Sequence, residues 1–586
     1  MEENKKNEYI NFKHLKRFLT CQPYYVWNQT AVNFNEETDS EEFSFWQIDL
    51  DEVDDLSYAE VIKNGYSKVN EFFEAHIEKE AKQTNTKVFI NREIKPEIAF
   101  KKTIEKINDP DVDWIVNPVF IYQDCVIKPI LFRKDYGILS SLIHSSKTKL
   151  KNYIQAYFEI NVLQKLAKQL KIELSDYSFF NYDSKQNYQV APDLQFEESS
   201  FCWTQKSGPA KDIKTSIEEH NQDLTILEKI NSRIITKSKK ENLPSVYFAY
   251  DFDQYIEKIR ASKNIKKPEQ LNDKDLTDWG VNDHFNELFP FEQYGIPHVS
   301  GSLIKKNELL DLLKESKKIY ELQAKKKSLY LVCKQENKID YFEVERLINL
   351  IRNEKCVWYD FEGFSMPFVI FKKTKPYQQL VFQVSVIKTD DDKINDVNNL
   401  VVDPQTININ DFKNIVDAIY DPTADKYVVY NQSYENTRLK EMKEILASEL
   451  DADELATYEQ KINHITDNTF DLLELFKITN ANDKIPPIFL HKLLGFSSIK
   501  KLENLITNSQ IQLPIMIKPY KSLDVQNGLM AMNKAIQRYL NGIGNHEWDE
   551  VVNQLKAYCE NDVMAMIMVY HFVLKLLQEE DFINQF

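Results

Sequence analysis

The stretch Cys356–Phe364 reads CVWYDFEGF, an apolar run that closes on two acids. On a strand, successive side chains alternate between faces. Asp360 and Glu362 therefore share one face, while Tyr359 and Phe361 take the other. Two carboxylates side by side repel, and a divalent cation is the common means of neutralising both. An isolated Asp-x-Glu is far more often the rim of a strand reaching solvent, so the pair carries weight only in company.

Working outward, the order of elements is informative. A helix over Glu343–Arg352 precedes the strand. The segments QLVFQVSVIK (379–388) and NNLVVD (398–403) read as two more strands, followed by a helix at Asp411–Ile419, a strand KYVVYN (426–431) and a helix from Tyr434 to Glu449. Late helices cover Val525–Leu540 and Glu547–Lys575. Three strands in succession, then alternating helices and strands, predict a mixed α/β sheet. Two further acids fall at telling places. Glu435, in VVYNQSYENTRL (428–439), opens a helix just after a short buried strand, where a carboxylate is also simply a good partner for the helix dipole. In YCEND (558–562), Tyr558 and Asp562 are four apart and so share a helix face. Leu555, Ala565, Met566 and Val569 supply the apolar contacts that would hold that helix on the sheet.

Read in order, Asp-x-Glu on the first strand, Asn-x-x-x-Glu after the fourth and Tyr-x-x-x-Asp on the last helix resemble the DnaQ-like, ribonuclease-H-like 3′–5′ exonuclease superfamily, in the subclass with Tyr before the last Asp. The resemblance implies that Asp360, Glu362, Glu435 and Asp562 are metal ligands for two Mg²⁺ or Mn²⁺ ions and that Tyr558 orients the attacking water. It implies a hydrolase that removes nucleotides from single-stranded DNA or RNA. The superfamily usually has Asp where this chain has Glu435, one methylene longer. A narrower resemblance, to a bacterial domain of unknown function (2779), rests on WYDFEGF, KPYQQLVFQVS, VVYNQSYENTRL, FDLLELF, GFSSIKKLENL, DVQNGLMAM and YCENDVMAM, spanning Val357 to Met566 in order. It implies the same fold, with Glu as the usual residue at the Glu435 position. Gln383, Asn431 and Lys500 are further candidates for substrate contact. Each has an ordinary alternative: a core amide, a strand-end residue, and half of a solvated lysine pair with Lys501. Asp471, in FDLLELF, either ends a strand beside the site or caps a helix.

A chain of 586 residues exceeds one hydrophobic core. The pattern divides it into an α+β domain over 1–187, a polar helical connector over 188–353 and the mixed α/β domain over 354–586. In the connector, helices are expected at Lys211–Ile235, Asp253–Ser262 and Leu303–Gln323, and a short strand at Ser328–Val332. The net charge of −17 argues against a broad DNA-binding surface while leaving room for an enzyme that grips a few nucleotides through bound cations. None of the six cysteines forms a Cys-x-x-Cys pair, which argues against a zinc ribbon and fits a reducing cytoplasm. No apolar segment is long enough to span a bilayer, and the charged start MEENKKNEYI is not a signal peptide.

The opening FKHLKRFLTCQPYYVW (12–27) puts Phe12, Leu15, Phe18 and Leu19 on one helix face. It resembles the start of RecB-like restriction-type nuclease domains. Strand-like stretches at Asp113–Phe120 and Asp124–Arg133 and a helix at Tyr153–Leu170, with Gln155 and Tyr157, fit that pattern. Its metal ligands are missing: Pro129 stands where an Asp is expected, and His144 and Ser146 where Glu and Lys are. The resemblance implies a degenerate nuclease fold kept for binding or packing. The whole chain thus reads as a metal-dependent exonuclease, with a catalytically silent nucleic-acid-binding scaffold and a nucleotide phosphohydrolase as the alternatives.

Overall fold

The computed structural model describes residues 9–20, 26–27, 55–143, 148–182, 190–191, 194, 196–201, 225–240, 251–264, 327–477, 485–509, 511–579 and 582–586. The expected helix Leu303–Gln323, most of Lys211–Ile235, and His144 and Ser146 lie outside them. The chain is mixed α/β and divides into two compact units. Residues 64–284 supply most of the first, with the N-terminal segment and 367–371. The second comprises 40–63, 285–366 and 372–586.

The first unit is built on a six-stranded mixed sheet. Its strands are β1 (Val88–Ile90), β2 (Trp114–Val116), β5 (Leu131–Arg133), β6 (Ile138–Ile143), β7 (Asp176–Tyr182) and β8 (Phe196–Ser200), in the order β1-β2-β5-β6-β7-β8. A separate hairpin pairs β3 (Phe120–Tyr122) with β4 (Cys125–Ile127). The stretch expected as one strand over Asp124–Arg133 is broken in two at Lys128-Pro129-Ile130, because proline has no N–H to give a ladder. The helix Phe12–Thr20 buries Leu15, Phe18 and Leu19, as its periodicity demands. The helix Leu150–Leu170 lays Ile154, Phe158, Leu163 and Leu166 into the same core. Of the connector's expected helices, Phe252–Ser262 and Ile226–Lys240 pack into this core.

The second unit holds a five-stranded mixed sheet of β10 (Cys356–Phe364), β11 (Leu380–Asp390), β12 (Lys393–Val401), β13 (Lys426–Val429) and β14 (Thr469–Asp471), in the order β12-β11-β10-β13-β14. The first three are antiparallel neighbours, and β13 and β14 run parallel to β10. A two-stranded ribbon of β9 (Lys338–Ile339) and β15 (Ile488–Phe489) stands apart. The final helix, Asn545–Gln578, crosses the sheet and buries Leu555, Val563, Ala565, Met566 and Val569. Its Tyr570 ring lies against Trp358, centroids 5.6 Å apart. The segment Ser328–Val332, expected as a strand from its apolar and aromatic content, lies instead in the helix Lys327–Lys334. Ser328, Leu329 and Val332 are buried there, a helical rather than an alternating spacing.

A buried ion pair ties the sheet of the first unit. The Arg133 guanidinium on β5 bonds the Glu198 carboxylate on β8, and its charge lies 5.6 Å from the Trp114 ring and 5.5 Å from that of Phe180. Removing one partner strands the other out of water. Glu198→Ala should therefore cost about 3–5 kcal/mol, and the apolar pair Arg133→Met with Glu198→Leu should recover most of it. Urea denaturation of the three chains measures both, and a single-variant loss below about 1 kcal/mol would show that water reaches the arginine.

Candidate metal centre

β10 is the central strand of its sheet, so the residues at its end are set by neighbours on both sides. Asp360 pairs with Ser385 and Glu362 with Gln383 across the antiparallel ladder, and the register slips immediately afterwards, between Glu362 and Gly363. Such irregularities re-aim side chains at the end of a ladder. The final helix passes over this face. The Cys559 thiol lies 3.6 Å from the Asp360 carbonyl oxygen, and the Tyr558 hydroxyl comes near enough to Glu362 to work against the rise of its carboxyl. One helical turn beyond Tyr558, Asp562 completes a group in which ligand oxygens of Asp360, Glu362 and Asp562 all lie within 4.8 Å of one another. Glu362 and Asp562 are buried, and Asp360 is partly open.

Glu435 stands outside that trio but near it. Burial pushes its carboxyl well above the usual carboxylate range, and the Asp360 charge adds to the shift. Its Oε2 is buried without a hydrogen-bond partner. Burial likewise raises Asp360 and Glu362, with Asp562 the main neighbour for Asp360 and Asp360 for Glu362. An orphaned carboxylate oxygen beside three converging carboxylates is the donor set of a hard divalent cation, so these residues fit one.

Glu435 owes its place to Asp471. The helix Gln432–Leu446 starts from Asn431, whose backbone is left-handed at φ 83°. The Asp471 carboxylate, at the end of β14, accepts the backbone N–H groups of Asn431 at 2.9 Å, Gln432 at 3.1 Å and Leu473 at 3.0 Å. Asp471 thus both ends a strand near the acids and caps a short helical turn, and it fixes the turn from which Glu435 projects. Gln383 is fully buried and donates to the Leu555 carbonyl at 2.7 Å, tethering the final helix one turn before Tyr558. This makes it a clamp on that helix. Lys500 comes to the site: its ammonium lies 5.3 Å from the Tyr520 ring centre and 5.7 Å from that of Tyr558, and its charge lowers Asp360 and Glu362. Lys501 turns away, over Phe496.

Five residues around the site escaped the reading from sequence. Tyr520 donates its hydroxyl to Asp562. Gly528, first residue of the helix Gly528–Tyr539, comes so close to Glu362 that a Cβ there would sit 3.1 Å from its Oε2. The Gln379 amide oxygen gathers the Tyr434 hydroxyl at 2.6 Å and the buried Arg438 at 2.8 Å. Gly528, Gln379, Tyr434 and Arg438 all lie within the ordered motif stretches, which was the available signal; Tyr520 lies in none. Tyr558 is a buried phenol, held protonated well above its ordinary range by desolvation and by the Asp562 and Glu362 carboxylates.

Residues 357–498 match a family model described as Domain of unknown function (DUF2779). Uncharacterized protein MG366 of Mycoplasma genitalium is 26% identical over 563 residues, covering 83% of this chain and 82% of that protein. The MG366 homolog of Mycoplasma pneumoniae is 29% identical, with 78% of each chain covered. Uncharacterized protein UU173 of Ureaplasma parvum is 27% identical over 80% of this chain and 70% of its own. The likeness therefore runs well beyond the segment that matches the family model. No solved structure matches the chain. Among the described residues no helix is long and apolar enough to cross a membrane.

The raised carboxyls make a signed prediction for the cation-free chain. A carboxyl whose folded pKa lies above its unfolded one stabilises the fold fully below the ordinary carboxylate range, about pH 4, and that contribution is lost as pH climbs through the raised values. In chelator, the melting temperature of the second unit should fall as pH rises above the ordinary carboxylate range, and the fall should flatten in the double variant Asp360→Asn, Glu435→Gln. A melting profile that is level in the native chain, or equally steep in the variant, would show that these groups are not the source.

Proposed function

We propose that the second unit is a metal-dependent phosphodiesterase of ribonuclease-H-like architecture, acting as a 3′–5′ exonuclease on single-stranded DNA or RNA. The observation that carries the reading is the convergence of Asp360, Glu362 and Asp562 from parts of the chain some two hundred residues apart, with the orphaned Glu435 oxygen beside them. A fold has no structural reason to collect buried like charges at one point. The same four acids are the ligands that the resemblance to DnaQ-like exonucleases implies. A pair of divalent cations held there would neutralise the scissile phosphate and supply a water acidic enough to attack it at neutral pH.

The chain's own groups have separate tasks in this reading. Tyr558, protonated and beside Glu362, is no general base; its phenol holds the attacking water in line with the bond to the leaving 3′ oxygen. Lys500, whose charge reaches Asp360 and Glu362, presents an ammonium to the phosphate in this reading. Tyr520 fixes the Asp562 carboxylate, and the backbone of Gly528 gives Glu362 room to sit where it does. In the first unit, read as a restriction-nuclease-like fold, Pro129 is buried where such domains keep an aspartate, so no hydrolysis is assigned there.

The test is a substrate panel with Mg²⁺ or Mn²⁺: labelled single-stranded DNA and RNA, a duplex, and mononucleotides. Stepwise shortening of a single strand from its 3′ end, abolished by chelator, is the expected result. Hydrolysis of mononucleotides alone would replace the reading with a phosphohydrolase, and no turnover at all with a silent scaffold. Asp360→Asn and Asp562→Asn should each lower cleavage by roughly a hundredfold or more, and Tyr558→Phe by less.

A separate variant decouples stability from chemistry. Gly528 sits in the first helical turn, where alanine is the better helix former by about 0.5–1 kcal/mol. Gly528→Ala should therefore melt no lower than the native chain while losing about tenfold or more in cleavage, because its methyl displaces Glu362. Full activity in that variant would mean that the Glu362 position tolerates a shift.

A further inference from the structure

Asp562 reaches the acidic centre from far along the chain, and its carboxylate must face Asp360 and Glu362 before any cation arrives. Repulsion among these acids would turn it away. The segment 511–523, between the helices Ile499–Asn508 and Gly528–Tyr539, bears on this. It has no regular structure until a short turn at Tyr520–Ser522. Ile511 and Leu513 anchor its start in the apolar core of the second unit. Among the described residues, the only backbone groups of 511–518 that form hydrogen bonds are those of Lys518, and both go to one side chain.

That side chain is Asn561, the residue before Asp562 on the final helix. Its Oδ1 accepts the Lys518 N–H at 3.1 Å, and its Nδ2 donates to the Lys518 carbonyl at 3.1 Å. The amide thus pairs with one residue as a neighbouring strand would, and it is only 6% exposed. Pro519 follows. Its ring fixes its own φ, here −56°, and its bulk confines Lys518 to extended backbone. Little rotation is left between the clamp and Tyr520, whose hydroxyl donates to Asp562 Oδ1. The Tyr520 ring stands edge-on to that of Tyr558, centroids 6.2 Å apart. A loop is closed in this way. Asn561 holds Lys518, Pro519 stiffens the next step, and Tyr520 returns to the residue beside Asn561.

We infer that Asn561 is a positioning residue for cation capture: its grip on Lys518, carried through Pro519, keeps the Tyr520 hydroxyl on Asp562 and the Asp562 carboxylate turned toward the other acids. The inference rests on the proposed metal centre and adds which part of the chain prepares it. Asn561 acts through Tyr520 rather than at the cation. A ligand already in place costs a cation less to bind than one it must first gather in. Hydrogen bonds to ligating carboxylates govern metal affinity in this way, by about ten- to a hundredfold.

Titration calorimetry of the full chain with Mn²⁺ alone, without nucleic acid, tests it. The native chain should bind Mn²⁺, and Asp562→Asn should bind it far more weakly. Tyr520→Phe keeps the ring, loses the hydroxyl and should weaken Mn²⁺ about tenfold. Asn561→Ala should weaken it by a similar factor, and the double variant by no more than the larger single loss, because both act on one path. Pro519→Gly loosens the step between clamp and tyrosine at an exposed position, with every buried side chain native, and should weaken Mn²⁺ about threefold. Lys518→Ala should bind as the native chain does, since only its backbone is gripped. Undiminished affinity in Tyr520→Phe, Asn561→Ala or Pro519→Gly, or single losses that multiply in the double variant, would overturn the inference and leave the metal centre standing. No Mn²⁺ binding by the native chain, or undiminished binding in Asp562→Asn, would remove both.

Discussion

Mutual repulsion among carboxylates held out of water is the constraint to which the second unit answers. Asp360 and Glu362 are forced onto one face by the strand period, Asp562 reaches them from the final helix, and Glu435 is buried close by. At neutral pH such a set is unfavourable unless protons or cations occupy it. The surrounding structure accepts this strain and supplies rigidity. A central strand, a helix 34 residues long and a left-handed turn at Asn431 each hold one part of the set. The hydrogen bond from Tyr520 to Asp562 offsets some of the repulsion, and the Tyr558 hydroxyl and the Lys500 charge beside Glu362 act in the same direction.

The first unit meets a related problem differently. Glu159 is as deeply buried, yet it stands alone, and neutral donors from Gln155, Ser141 and Tyr177 satisfy three of its acceptor positions. Desolvation still raises its carboxyl, and those three bonds work against the shift. A single buried carboxylate can be accommodated by dipoles. Several converging ones outrun the hydrogen bonds a fold can aim at them, as the unpartnered Glu435 oxygen shows.

What could be read from the sequence was whatever local period or motif order fixes. The three leading strands of the second sheet, the helix carrying Glu435 and the final helix follow from apolar spacing, and they appear with boundaries shifted by a few residues. Asp360 and Glu362 were paired by the two-residue strand repeat alone. Tyr520 was invisible, because nothing local tells a tyrosine in a Pro-Tyr-Lys turn that an aspartate 42 residues later will lie beside it. The tether from Gln383 to Leu555 was hidden for the same reason, since it depends on where a helix crosses a sheet. Lys327–Lys334 shows the converse error. Its composition suits a strand, and only tertiary packing of Leu329 and Val332 settles it as a helix.

The span between Asp360 and Asp562 also orders events in time. A growing chain makes β10 first and must complete β11 to β14 and several helices before the residue that closes the cluster exists. Contacts this remote form late, after most of the loop-closure cost has been met. Until then the nascent polypeptide carries its acids on an uncovered strand, open to water and to their own ionisation. It can neither enclose a cation nor suffer the crowding that follows. The most crowded arrangement of the unit is thus assembled last, on a scaffold already able to bear it.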